Sequence, residues 1–132
     1  MLRKFGAAIL AGALFLAACA DERGPASTQT SETFLLNTAA EDFRAHVAPE
    51  GLQFRNVHAG VMNGEDGVAA QLLCGEFSGP SGDWTPFATI RTDPYENWIG
   101  GVAESHCTRA NTSLESATDL SDALTRAYAA GR

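Results

Sequence analysis

Whatever chemistry this chain of 132 residues performs must draw on three cysteines, three histidines and a small set of carboxylates. Cys74 and Cys107 stand far apart and lack the Cys-x-x-Cys spacing that a redox or metal site would use. A distant pair of this kind points to a structural disulfide in an oxidising compartment. Closing the loop from 74 to 107 would stabilise a small domain by on the order of 3–4 kcal/mol in the chain-entropy model. His46, His58 and His106 have no second ligand at metal spacing on a helix face. Ser105 and His106 are neighbours, which on a strand point to opposite faces, so they are no evidence for a nucleophilic triad. No catalytic residue, metal ligand or cofactor is therefore assigned. Arg55 and Glu76 remain. They could be a charge pair holding a hairpin together, or, with Asn56 and His58, the lining of a polar ligand pocket. Trp84, Phe87, Tyr95 and Trp98 are core candidates, and Trp84 and Trp98 could instead form an exposed binding patch.

Cys19 is chemically distinct from the other two. Arg3 and Lys4 form a basic start, and Phe5 to Leu16 is an uncharged run rich in Ala and Leu. That is the pattern of a secretory signal peptide, too short for a permanent span, which needs about 20 apolar residues. The boundary Leu16-Ala17-Ala18-Cys19 resembles the bacterial lipobox. The resemblance implies that the Cys19 thiol takes up a diacylglyceryl group, that cleavage precedes it, and that its new amino group is acylated too. Several chains together anchor stably where one alone is marginal. Ala18-Cys19-Ala20 also fits ordinary small-x-small cleavage, which would release a soluble chain from Asp21. In Gram-negative envelopes an aspartate directly after the lipidated cysteine favours the inner membrane. Here Ala20 fills that position, which points to the outer membrane, facing the periplasm.

Net charge is −7. Without the leader, seven basic residues face sixteen acidic ones, a balance of about −9. Such a surface repels nucleic acid phosphates and anionic head groups, and would suit solvation or a cationic partner.

The elements that must position these residues follow from periodicity. Residues 1–18 read as leader and 19–31 as lipidated cysteine and flexible tether, since the latter stretch is polar, aperiodic and holds Gly24-Pro25. Residues 32–132 then form one α+β domain. Leu36, Ala40, Phe43 and Val47 mark an amphipathic helix over 32–48, stopped by Pro49. Strands are expected near 52–61, 67–77, 84–92 and 97–104, joined by short turns and so antiparallel. Val68, Ala70, Leu72 and Cys74 would share one face, with Glu76 on the same side. Thr112-Ser113-Leu114-Glu115 resembles a capping box opening a C-terminal helix, with Thr118-Asp119 a second possible start. The helices would cover one face of the sheet.

Leu52-Gln53-Phe54-Arg55-Asn56-Val57, Leu73-Cys74-Gly75-Glu76-Phe77-Ser78-Gly79 and Gly82-Asp83-Trp84-Thr85-Pro86-Phe87 occur in this order. Together they resemble a group of small exported bacterial proteins, in which a Phe-Arg-Asn-Val strand precedes a Cys-Gly-Glu strand and an aromatic-glycine-aromatic segment. The match spans roughly residues 45–90. Pro86 stands where the group has glycine, and Trp84 where tyrosine is common. The resemblance implies an exported domain and supplies no activity.

Two functions from different classes fit. One is a membrane-anchored, non-enzymatic interaction module with an envelope protein partner and no nucleic acid. The other is a small periplasmic enzyme or ligand binder using Glu76 and His58, with Asp83 a further candidate carboxylate. A purely structural role is a third.

Overall fold

The computed structural model describes residues 23–109, 111–115 and 118–131, with side chains from Ser31 onward. The leader and Cys19 lie outside the described residues. The elements are α1 (Arg23–His46), β1 (Gln53–Asn63), β2 (Ala69–Ser78), β3 (Trp84–Ile90), β4 (Glu96–Ile99), α2 (Gly101–Thr108), β5 (Thr112–Leu114) and α3 (Ser121–Ala130). The strands form one antiparallel sheet in the order β4-β3-β2-β1-β5. This is an α+β fold with helices at both ends.

α1 starts nine residues before the expected helix, so residues 23–31, read as tether, are helical. Gly24 and Pro25 fall in the first turn, where a missing N–H costs nothing. The helix ends at His46. The amides of Val47 and Ala48 both donate to Phe43 O, at 3.0 and 2.9 Å, and Val47 is exposed rather than part of the apolar stripe. Leu35, Leu36, Ala39, Ala40 and Phe43 instead face the sheet. Phe43 is the centre of that contact, with the rings of Phe54, Phe77 and Phe87 at 5.1, 4.9 and 5.0 Å. Tilted and edge-on pairs at this separation add stabilisation beyond area burial.

α3 lies on the same face. Leu124 and Tyr128 are buried, and the Tyr128 hydroxyl donates to Ala48 O at 2.7 Å. One Arg44 nitrogen donates to both Ala127 O and Tyr128 O at 2.9 Å, so α1 supplies a cation to the last carbonyls of α3.

α2 departs from the expected arrangement. The fourth strand stops at Ile99, because Gly100 takes φ 82 and turns the chain. The Gly100 amide donates to Pro86 O at 2.9 Å, and Glu104 N then donates to Gly100 O to open the helix. Residues 101–104 are thus helical, and α2 packs on the face opposite α1 and α3. There Ala103 meets Leu72, Cys74, Ala88 and Ile90. Cys74 and Cys107 are joined by a disulfide, S–S 2.03 Å, with Cys107 on α2 rather than just past a strand. Val68 precedes β2 and is exposed, so it does not extend the Leu72–Cys74 face.

The segment read as a capping box is strand β5. Thr112, Ser113 and Leu114 pair with Met62, Val61 and Gly60. Contact is close enough that a Cβ on Gly60 would lie 2.5 Å from Ser113 O. α3 begins later, where Asp119 Oδ1 accepts from the Ser121 amide at 2.8 Å, the second start that the sequence offered.

Candidate functional site

The segments Phe54-Arg55-Asn56-Val57 and Cys74-Gly75-Glu76 meet across β1 and β2. Register runs Phe54 to Phe77 and Arg55 to Glu76, then shifts, and resumes with His58 opposite Cys74. The shift is a β-bulge. Asn56 sits at φ 52, a region that asparagine tolerates better than other side-chain-bearing residues. The extra residue turns the Val57 backbone away from β2 and toward the start of α3. Val57 N donates to Asp119 Oδ1 and Ser121 Oγ, both at 3.3 Å, while Leu120 N donates to Val57 O at 2.7 Å. The Ser121 hydroxyl also donates to Asp119 Oδ1. These bonds hold the Asp119 carboxyl below the usual carboxylate range, the Ser121 hydroxyl contributing most.

The bulge also aims the Asn56 side chain. Asn56 Nδ2 donates to Glu76 Oε2 at 3.0 Å. Arg55 Nε donates to the same oxygen at 3.0 Å, and its NH2 group to Oε1 at 3.3 Å. Both oxygens of Glu76 are therefore engaged, in a two-point guanidinium contact. Its pKa is lowered, first by the Arg55 hydrogen bonds and then by Asn56. The Arg55 guanidinium carbon lies 4.2 Å from the Trp84 ring centre, so the cation is held between a carboxylate and an indole face. Gly75 completes the motif on the other side of the sheet. A Cβ there would lie 2.8 Å from Val57 Cγ2 and 2.9 Å from Phe87 Cε1, so only glycine lets those side chains close over the strand. Arg55 and Glu76 thus form an ion pair across the hairpin.

His58 lies on the same face as Glu76, beside Cys74. Asp83 is exposed in the turn before β3. His46 is exposed, with Nε2 3.8 Å from Asp42 Oδ1. His106 stacks on Trp98, ring centres 5.4 Å apart, and burial pushes its pKa down, reinforced by Arg109. Among the described residues no group of three His, Cys, Asp or Glu could hold a metal ion.

Trp84 and Trp98 are not brought together. Trp84, opposite Ser78, is half-buried beneath Arg55; Trp98 lies opposite Ala88. Four residues along β3 separate those positions by about 13 Å. Phe87 is core, and Tyr95 is half-buried, its hydroxyl donating to Asp42 Oδ1 at 3.4 Å. The exposed apolar residues near Trp98 are instead Ile99 and Val102. Sequence reasoning passed over both because they fell inside an expected strand. The Gly100-Gly101 pair was the available signal that the strand ended there.

No family model, curated protein or solved structure matches this chain.

Proposed function

We propose that this chain is an exported lipoprotein, held on the bacterial envelope by lipid on Cys19, whose domain acts as a non-enzymatic interaction module. The observation that carries the reading is Leu16-Ala17-Ala18-Cys19 at the end of a basic and then apolar leader. The Cys74–Cys107 disulfide supports it, since such bonds persist in oxidising compartments. The engagement of both Glu76 oxygens by Arg55 and Asn56 weighs against an active site built on that carboxylate. With Ala20 after the cysteine, the outer membrane facing the periplasm is the address in a Gram-negative cell.

Detergent-phase partitioning tests the anchor. The wild-type chain is expected in the detergent phase, and Cys19→Ala in the aqueous phase. Identical partitioning of the two would remove lipidation from the reading. In-cell crosslinking followed by mass spectrometry tests the module, with one envelope protein at near-stoichiometric yield as the expected result.

A further inference from the structure

β4 is an edge strand of four residues, and the register fixes which backbone groups it turns outward. Phe87 lies opposite Ile99 and Ala88 opposite Trp98, and Gly100 N donates to Pro86 O at 2.9 Å. Hydrogen-bonded pairs alternate along an antiparallel ladder. Pro86/Gly100, Ala88/Trp98 and Ile90/Glu96 are therefore the bonded pairs. Asn97 and Ile99 turn their N–H and C=O groups away from β3, two residues apart, as an added strand would require. The same alternation explains why Pro86 is tolerated within β3: its missing N–H faces the Gly100 carbonyl, which accepts from Glu104 N instead.

Apolar exposure coincides with this edge. Among the described residues six large hydrophobic side chains are exposed, and three of them, Trp98, Ile99 and Val102, lie within five residues at 37%, 46% and 50% exposure. Within the segment that carries β4 the charge has one sign, with Arg91 just before it and Arg109 acting on His106 behind Trp98. Residues 92–105 contain Asp93, Glu96 and Glu104 and no lysine or arginine. A second copy of so acidic a chain would bring Glu96 and its neighbours against themselves, which disfavours edge-to-edge self-pairing.

We propose that the outer edge of β4 is a strand-addition site for an extended basic segment of an envelope protein. In such a complex, main-chain bonds to Asn97 and Ile99 give affinity. Apolar side chains of the segment lie on Ile99, and its cations, on the opposite face, lie over Trp98 and face Glu96 and Glu104. The inference rests on the interaction-module reading and names the surface and the partner chemistry.

The test is an NMR titration of the chain, as purified from cells, with a ten-residue peptide of alternating valine and lysine. Two controls accompany it: the peptide with glutamate replacing lysine, and the lysine peptide N-methylated at alternate amides. The lysine peptide is expected to shift the Asn97, Ile99 and Trp98 indole resonances and to slow exchange of the two edge amides about tenfold or more. Neither control peptide should do so. Asn97→Pro removes an N–H that β3 does not use, and should abolish binding. Ile99→Lys places a like charge on the edge and provides an independent variant should the proline disturb the strand; it should weaken binding about tenfold or more. Trp84→Ala should bind like wild type. Equal binding of the glutamate peptide, shifts centred away from β4, or edge amides already protected without peptide would each overturn the proposal. The last of these would mean that the chain itself or a second copy covers the edge. A photocrosslinker at position 99 and another at Arg126, on the exposed side of α3, separate this inference from the reading beneath it. Capture of an envelope protein at 126 but not at 99 would keep the module and discard the β4 site. Capture at neither would discard the module, while the titration still decides the edge.

Discussion

At Asn56 one backbone angle serves two contacts: it points the amide at Glu76 and turns Val57 toward Asp119 and Ser121. Asn56→Gly keeps the angle and loses the side-chain bond, an expected cost of about 1 kcal/mol in urea denaturation. Asn56→Val forces a β-branched residue into the left-handed region and is expected to cost about 2 kcal/mol or more. Equal costs would mean that the angle carries no strain for an ordinary side chain. Glu76→Gln removes the charge that Arg55 grips. Because the pair is partly exposed, about 1 kcal/mol is expected, or roughly 4 °C of melting temperature at pH 7. Glu76 and Asp119 both have depressed pKa values in the fold. Stability from a depressed carboxylate is complete above its unfolded value and is lost as pH falls through the folded one. The gap between wild type and Glu76→Gln should thus begin to narrow as pH falls below about 4.3, the ordinary glutamate value, so it should be smaller in melts at pH 3 than at pH 7. The pairing of Arg55 with Glu76 was legible in the sequence, because both fall on strands joined by a short turn. The bulge was not: Arg-Asn-Val alternates as well as any regular strand, and only the needs of α3 decide that Asn56 is the extra residue.

α2 has a thin attachment to the sheet, since Ala103 is its one residue in the buried cluster and Cys107 is half-buried. The disulfide to Cys74 is therefore the main restraint on where the helix sits. Cys107→Ser is expected to destabilise the domain by about 3 kcal/mol. Hydrogen exchange should locate the first loss of protection in residues 101–108, with α1 and α3 keeping theirs. Uniform loss across all three helices would show that α2 is no separate unit. This element was also the least legible. Nothing in residues 101–108 alternates or repeats strongly, and the helix forms because Gly100 ends the strand and a covalent bond waits on β2. β5 illustrates the opposite failure. Thr112-Ser113-Leu114-Glu115 has the letters of a capping box, yet the open edge of β1 takes the segment as a strand, and α3 starts at Ser121, whose amide donates to Asp119. Local preference lost to an unpaired edge.

Across the whole molecule, the fold class, the first three strands and the disulfide were readable from hydrophobic alternation, turn residues and cysteine parity, whereas the strand expected over 97–104 stops at Ile99. The two-sided cover of the sheet was not readable, because it depends on α2. The acidic balance makes a prediction of its own: a chain lacking the leader and carrying Cys19→Ala should stay off anionic vesicles even at low salt, since its balance of about −9 is repelled by a charged bilayer. Cosedimentation with those vesicles would show a protein-encoded membrane surface and require a different account of retention.

The early start of α1 alters what an anchored domain could touch. A disordered stretch from Ala20 to Ser31 would let the domain roam up to about 40 Å from its lipid. With helix from Arg23, three residues of at most about 13 Å and eight helical steps of about 12 Å separate Cys19 from Ser31, about 25 Å in all. With lipid on Cys19, so shortened a reach would keep the domain closer to the head groups than a fully extended tether would. Its partners would have to come within that reach, as proteins embedded in the same membrane or pressed against it, rather than be fished from the depth of the compartment.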